Sequence, residues 1–377
     1  MPDHKNQHYV PQHYLKSWST EDYIQVYHLD QGEVPSTHIS KVCSKDYLYG
    51  QPSDVEIALG RLEKLHNKPL SNLRDGANLS DLSGTDLKLL LSFIMTQRTR
   101  SKFTQEDIEA GEHVLREGIQ EDMINDRYEN YVEWKEGLSS NEKIESMLEA
   151  SILGIHFRHI MLGVLGYYTV QDLDAVMLRN LTDNKFLLSD VPPVFDNPRF
   201  SSRVVAGIGR PGLQIFCPID PTRLLLLYDP NIYTIDKNSQ LEVIIKSRSV
   251  IDELNLLQYH NAENVILHGG NDESYLNRLS NRLDDVRRRE QITQNHEVDG
   301  TDYEVDKIPP YQTPKISPSI PGQSINYRVQ YQKTRPGSKI KHKRRIIKHI
   351  MDKSGGFPDV GLIMAIQLLK DIVEGSD

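Results

Sequence analysis

The chain is short of the features by which most functions announce themselves. Only two cysteines, Cys43 and Cys217, occur in 377 residues. Two thiols make neither a disulfide framework nor a four-thiolate zinc site. Both lie in apolar or strand-like surroundings, so they read as small core residues of a protein kept in a reducing cytoplasm. No window approaches the roughly 18 apolar residues that a membrane span needs. The opening Met1-Pro2-Asp3-His4-Lys5 is polar and lacks a signal-peptide core. No membrane partner is expected. A Walker lysine loop, GxGxxG, GxSxG and HExxH are all missing, and no cofactor is implied. Gly207-Ile208-Gly209-Arg210-Pro211-Gly212 has the glycines of a phosphate loop, but its proline and the lack of a following helix pattern make it a turn. Metal patterns are equally thin. His156 and His159 are three apart on a helical stretch with no nearby Glu or Cys, and no metal site is expected. No internal repeat is visible.

Acidic residues are absent from one long stretch. None occurs between Lys307 and Met351, while Arg328 to Lys348 holds nine basic residues in a chain of net charge −9. An acidic body with one basic tract is no generic DNA-coating protein. The tract Lys339, Lys341, Lys343, Arg344, Arg345 and Lys348 is the one polyanion-binding feature, with nucleic acid the natural ligand. Aromatic residues near it are limited to Tyr327 and Tyr331, so base stacking is not implied. A solvated tract that neutralises the acidic body fits equally well.

What is present is a mixed pattern. Pro11 fits the first position of a short helix containing Leu15 and Trp18. Tyr23 to Leu29 reads as a strand, Asp30-Gln31-Gly32 as a turn and Val34 to Ile39 as the returning strand. Helices dominate from 53 to 168. Ser53 caps a segment with Val55, Leu59, Leu62 and Leu65 on one face. Ser83-Gly84-Thr85-Asp86 resembles a capping box and opens a helix with Leu87, Leu90, Leu91, Ile94 and Met95 in a stripe. Ile144, Leu148, Ile152, Ile155 and Leu162 continue the pattern, and 120 to 137 reads as a polar connector. After 180, short apolar runs at Lys185–Ser189, Ile215–Cys217 and Leu224–Tyr228 are bounded by prolines and read as buried strands. A helix from Ser249 through Leu254, Leu257 and Val265 follows, then one carrying Leu276, Leu279, Leu283 and Val286. Prolines 309, 310, 314, 318 and 321 mark a linker. Leu362, Ile363, Ile366, Leu369 and Ile372 form a closing amphipathic helix that must bury one face. The pattern predicts an α+β fold, a helical half packed on a small, mostly antiparallel sheet. The expected organisation is a core over 4–289, a proline-rich acidic linker over 290–325, and a short basic C-terminal module over 326–377.

Three residues stand out for chemistry. Arg98 continues the stripe 87, 91 and 94, and an inward guanidinium demands a carboxylate or several carbonyls. Its role is a structural ion pair or recognition of a substrate phosphate or carboxylate. Asp190 ends an apolar strand ahead of Pro192-Pro193, where it forms a turn, pairs with Arg98 or joins a site. His8 sits just ahead of the helix at Pro11, where the helix dipole favours a neutral imidazole able to act as acid, base or ligand. Gln12 in the first turn orients a ligand. His13 reads as incidental packing.

These stations also carry a resemblance. His8-Tyr9-Val10-Pro11-Gln12 with Tyr14-Leu15 resembles the opening signature of a widespread family of microbial proteins catalogued only as a domain of unknown function. Gln97-Arg98-Thr99 looks like that family's helix end, and Phe186 to Pro192 like its Ser-Asp-x-Pro strand end. Phe216 to Pro221 followed by Leu224 to Leu227 looks like its Pro-Leu-Ser-Pro turn and apolar strand. Asn255 and Ala262 fall where its next helix carries an Asn and a small residue. The resemblance covers about residues 4 to 270. It departs at His13 and Trp18, where Phe-type residues are more usual. It implies that His8, Gln12, Arg98 and Asp190 matter, and it implies no reaction.

Three functions are consistent with these residues. One is a nuclease-like hydrolase on a phosphate-containing substrate, with His8 as acid or base, Arg98 holding charge, Asp190 orienting, and Gln12 and Asn255 binding, in a defence or toxin setting. The second is a non-catalytic binding module with a buried His8–Arg98–Asp190 network. The third is a nucleic-acid tether through the basic tract. Convergence of the three residues in an open pocket favours the first, and a sealed core favours the second.

Overall fold

A computed structural model describes residues 6–49, 54–100, 154, 156–198, 208–270, 273–282, 292–298, 301–307, 316, 318–326 and 334–375. The expected connector at 120–137, the stripe residues Ile144, Leu148, Ile152 and Ile155, and Ser53, Gly207, Leu283, Val286, Pro309, Pro310, Pro314, Tyr327 and Tyr331 lie outside them.

The fold is α+β, as the pattern predicts, and its centre is a five-stranded sheet. The strands are β5 (Asp174–Asn180), β7 (Val194–Asp196), β8 (Gln214–Asp220), β9 (Arg223–Tyr228) and β11 (Glu242–Ile245). They lie in the order β11-β5-β9-β8-β7, antiparallel throughout except for the β11–β5 pair. Successive side chains of a strand alternate between faces, and here both faces are covered. Met177, Ile215, Cys217, Ile219, Leu225 and Leu227 join the core beneath the N-terminal helices. Val176, Leu178, Phe216, Leu224, Leu226 and Tyr228 join a second core beneath helix α5 (Arg248–Asn261). Double burial is why these strands read as continuous apolar runs instead of alternating ones. Cys43 and Cys217 are both free and buried.

The helical layer comprises α2 (Asp54–Arg74), α3 (Gly84–Arg100) and α4 (residues 156–164). The capping box behaves as read. Ser83 Oγ accepts from Asp86 N at 3.0 Å, and Asp86 Oδ2 accepts from Ser83 N at 3.3 Å. Val55, Leu59 and Leu62 of α2 are buried in the main core.

A second, four-stranded antiparallel sheet has the order β3-β2-β12-β6. Its strands are β2 (Tyr23–His28), β3 (Gly32–His38), β6 (Leu188–Ser189) and β12 (Val265–His268). The β2–β3 hairpin turns at Gly32, whose φ of +83° suits glycine. Val265 does not extend α5, as the spacing suggests. That helix stops at Asn261, and Val265 starts β12, whose four residues are all buried. Helix α6 (Glu273–Asn281) packs Tyr275, Leu276 and Leu279 beneath this sheet. Two further stretches of pairing lie in the segment read as a linker. The first is the hairpin β13 (Ile292–Val298) and β14 (Thr301–Lys307); the second is β15 (Gln323–Ile325), which pairs with β10 (Tyr233–Ile235).

The C-terminal residues do not stand apart from the body. Helix α7 (Ile340–Lys353) holds the basic tract, and α8 (Pro358–Glu374) is the expected amphipathic helix. Leu362, Ala365, Ile366, Leu369 and Val373 of α8 enter the same core as α2 and α3. Each of the Leu, Ile and Val side chains contributes about 1.5–3 kcal/mol on burial. Ahead of α7, the fully buried Arg335 meets Asp172 in a two-pronged ion pair, at 3.0 and 3.2 Å. Its remaining donors reach the carbonyls of Thr169, Ile208 and Arg210. No described helix is long and apolar enough to cross a membrane.

Candidate functional site

The pocket begins with a three-residue strand that the sequence does not advertise. β1 (Asn6–His8) pairs antiparallel with β4 (Ser44–Asp46), His8 opposite Ser44. Both strands are wholly polar, so neither shows hydrophobic alternation. Pro11 then acts as the N-cap of α1 (Gln12–Leu15), so the helix starts one residue later than expected. Between β1, α1, α2 and the end of α3 lies a cavity of about 320 Å³, lined by His8, Gln12, His13, Tyr49, Gly60, Glu63 and Arg100 among others.

Arg100 organises this cavity. It is 3% exposed, and its Nε donates to Tyr49 Oη at 2.9 Å, one terminal nitrogen to Glu63 Oε1 at 2.8 Å, and the other to the His8 carbonyl at 2.7 Å. Burial alone would lower its pKa, but Tyr49 and Glu63 outweigh that and hold it above the usual value. Among the described residues, three of the five N–H donors of the guanidinium are used in this way, and one on each terminal nitrogen is left over.

His8 is half-buried at the cavity wall. Its Nε2 lies 3.2 Å from the Ile39 carbonyl, so Nε2 carries the proton and Nδ1 is the basic atom. Gln12 Nε2 approaches Nδ1 at 3.4 Å, the long end of hydrogen bonding. Burial lowers the His8 pKa against the opposing pull of the Ile39 carbonyl, so the ring is neutral at pH 7. The neutrality expected from a helix dipole is therefore present, but desolvation is its main cause; α1 is only four residues long. His13 also lines the cavity. Burial brings its pKa down to about 4, and its buried Nε2 has no hydrogen-bond partner among the described residues.

The other expected residues lie elsewhere. Arg98 is exposed on α3, with its guanidinium 4.3 Å from the centre of the Phe195 ring, and it does not line the cavity. The inward residue is Arg100, two positions on. Helix α3 is buried almost all round from Ser92 to Gln97, so apolar spacing selects no single face. The inward face is marked instead by Phe93, Thr96, Gln97 and Arg100, at i, i+3, i+4 and i+7.

Asp190 is fully buried and closes a loop. Its carboxylate accepts from the backbone N–H groups of Glu263, Asn264 and Val265, at 2.8, 2.9 and 3.3 Å. Burial pushes its pKa up while those donors pull it down. It meets neither Arg98 nor the cavity wall. Asn255 is likewise structural in its contacts. Its amide oxygen accepts from Leu187 N at 2.9 Å, and its amide nitrogen donates to the Lys185 carbonyl at 2.8 Å. Of the expected site residues, the structure thus brings together His8 and Gln12, and adds His13, Tyr49, Glu63 and Arg100.

Of the six basic residues of the tract, Lys339, Lys341, Arg344, Arg345 and Lys348 are exposed. Lys343 is half-buried instead, and desolvation lowers its pKa to about 8. Among the described residues no group of three His, Cys, Asp or Glu side chains could hold a metal ion.

Neither curated proteins nor solved structures provide a match to the chain. A family model does, and it spans β1 through the end of the second sheet, including every residue that lines the cavity. That model, described as protein of unknown function (DUF4238), matches residues 6–272, and the chain belongs to that family.

Proposed function

We propose that the cavity at β1 is an acid–base centre that acts on a phosphate-containing substrate, in the manner of a nuclease-like hydrolase. The observation that carries this reading is the state of His8. One ring nitrogen is pinned by a backbone carbonyl, and the other is a neutral base facing a cavity that also holds a guanidinium. In this reading Nδ1 of His8 takes the proton of a water whose oxygen bonds to phosphorus, displacing the long Gln12 contact; the P–O bond to the leaving alkoxide breaks, and the imidazolium returns that proton to the leaving oxygen. The two remaining Arg100 donors receive the charge that builds on the phosphoryl oxygens. Glu63 keeps the guanidinium aimed, and His13, neutral at pH 7, offers a hydrogen bond to the bound group. An intracellular defence or toxin role would suit such an activity.

The test is cleavage of RNA, DNA and a simple phosphodiester ester by the purified chain, with His8→Ala and Glu63→Gln beside it. The reading expects cleavage by wild type and its loss in His8→Ala with the fold intact. No cleavage by wild type, or equal cleavage by the folded variant, contradicts it.

A second reading rests on the same arginine. Three of its donors already bind β1, Tyr49 and α2 together, as a structural network does. A non-catalytic binding module would keep this network for stability alone and bind a polar ligand without turnover.

A further inference from the structure

The basic tract is set in the fold in a way that its sequence does not disclose. Helix α7 repeats Lys341, Arg344, Arg345 and Lys348 at i, i+3, i+4 and i+7, which places four cations on one exposed stripe. Ile346, Ile347 and Ile350 on the other side pack against the main core. The helix is anchored at its start. Lys339 N donates to the Tyr168 carbonyl at 3.0 Å, Ser338 Oγ donates to the Thr169 carbonyl at 3.1 Å, and the buried Arg335 locks the preceding turn to Asp172.

The contacts of the described residues bear on two rival uses of such a stripe. A helix that lies on a lipid surface needs its apolar face free to enter the headgroup region, and here that face is inside the protein. A tract that merely neutralises its own body would pair with the body's carboxylates. Among the described residues, none of these four cations has a carboxylate within ion-pair distance.

We propose that the exposed stripe of α7 is a docking surface for the phosphate backbone of duplex nucleic acid, read without sequence preference. A helix of 14 residues is about 21 Å long. That length spans several phosphates of a duplex, which carries a charge about every 1.7 Å of its axis. The stripe offers no Phe, Tyr or Trp to stack on bases, and its one carboxylate, Asp352, stands at the far end of the helix, four residues beyond Lys348. The surface stands independently of the cavity at His8.

The experiment is a titration of the full chain with a fluorescent random-sequence DNA duplex over a range of salt. With four phosphate contacts, log K should fall against log salt with a slope of about −3.6, roughly a hundredfold loss for a fourfold rise in salt. Changing Lys341, Arg344, Arg345 and Lys348 together to Gln should abolish most of that slope with an unchanged melting temperature. The pair Lys341→Gln and Arg345→Gln should remove about half of it, which keeps the test open if the fourfold variant does not fold. The salt slope reads the α7 stripe and cleavage reads the cavity, so a failed cleavage assay and a failed docking surface are separable. Absence of duplex binding by wild type, an unaltered slope in the folded Gln variants, or capture by phosphatidylserine vesicles without duplex binding would each overturn the proposal.

Discussion

The Arg100 guanidinium lies 2.8 Å from the Glu63 carboxylate, and the same guanidinium holds the His8 carbonyl at 2.7 Å. One side chain at the end of α3 thereby fixes α2 and the N-terminal strand on opposite sides of a polar cavity. The strand has only three residues and polar side chains, so the Arg100 contact holds the His8 backbone while the Ile39 carbonyl holds its ring.

The first consequence concerns stability. Arg100→Ala removes a buried partner from Glu63, Tyr49 and the His8 carbonyl, and should destabilise the fold by about 3 kcal/mol. Arg98→Ala removes an exposed guanidinium from the Phe195 face and should cost about 0.5–1 kcal/mol. Chemical unfolding of both variants checks the contrast. Equal losses would mean that the inward arginine has been misplaced.

Acid should weaken the fold through the cavity. The folded His13 has a pKa of about 4, below the ordinary 6.5, because it is buried. Between those values the unfolded chain binds a proton that the folded chain does not, so stability falls as pH drops from about 6.5 to about 4. His156 and His268, also brought to about 4 by burial, act in the same direction. His13→Phe should retain more of its neutral-pH stability at pH 4.5 than wild type does, as read from unfolding midpoints at the two pH values. An identical acid loss in both proteins would place the titration elsewhere.

Gly60 lies within α2 and lines the cavity, and a methyl group built on it meets no atom within 4 Å. Glycine inside a helix costs about 1 kcal/mol relative to alanine. Gly60→Ala should therefore raise the melting temperature while weakening ligand binding or turnover, because the added methyl group occupies cavity space. A stabilised variant with unchanged binding would show that no ligand approaches this wall.

Arg335 is fully buried with Asp172 and three carbonyls as partners. Arg335→Met should cost about 3–5 kcal/mol, since it leaves a mostly buried carboxylate without its cation. It should also expose the segment before α7 to limited proteolysis. Resistance equal to wild type would argue that the apolar face of α7 alone holds the helix.

Much of the fold was legible because local chemistry and tertiary demand agree. Ser83 and Asp86 cap α3 as their spacing predicts, and the doubly buried β8 and β9 stand out as apolar runs between prolines. The cavity was only half legible. His8 and Gln12 share one short segment and were visible together. Glu63, Tyr49 and Arg100 come from three other segments, joined by contacts 37 to 92 residues apart in sequence, and no local pattern encodes those. The arginine was misread by two positions because a helix buried all round carries no amphipathic period. The polar residues Thr96, Gln97 and Arg100 on one face were the available clue. Asp190 was read correctly as a strand-ending group, but its partners are the backbone N–H groups of a loop more than 70 residues on.

The central claim is that His8 is a neutral base with its proton on Nε2, in a cavity that receives phosphate. Proton–nitrogen NMR of the histidine rings at pH 7, before and after addition of inorganic phosphate or a nucleotide, tests it most directly. The account predicts an Nε2–H tautomer for His8, and phosphate-induced shifts at His8, His13 and the Arg100 side chain that are absent in His8→Ala. An imidazolium or Nδ1–H ring at His8, or spectra that phosphate leaves unmoved, would contradict it.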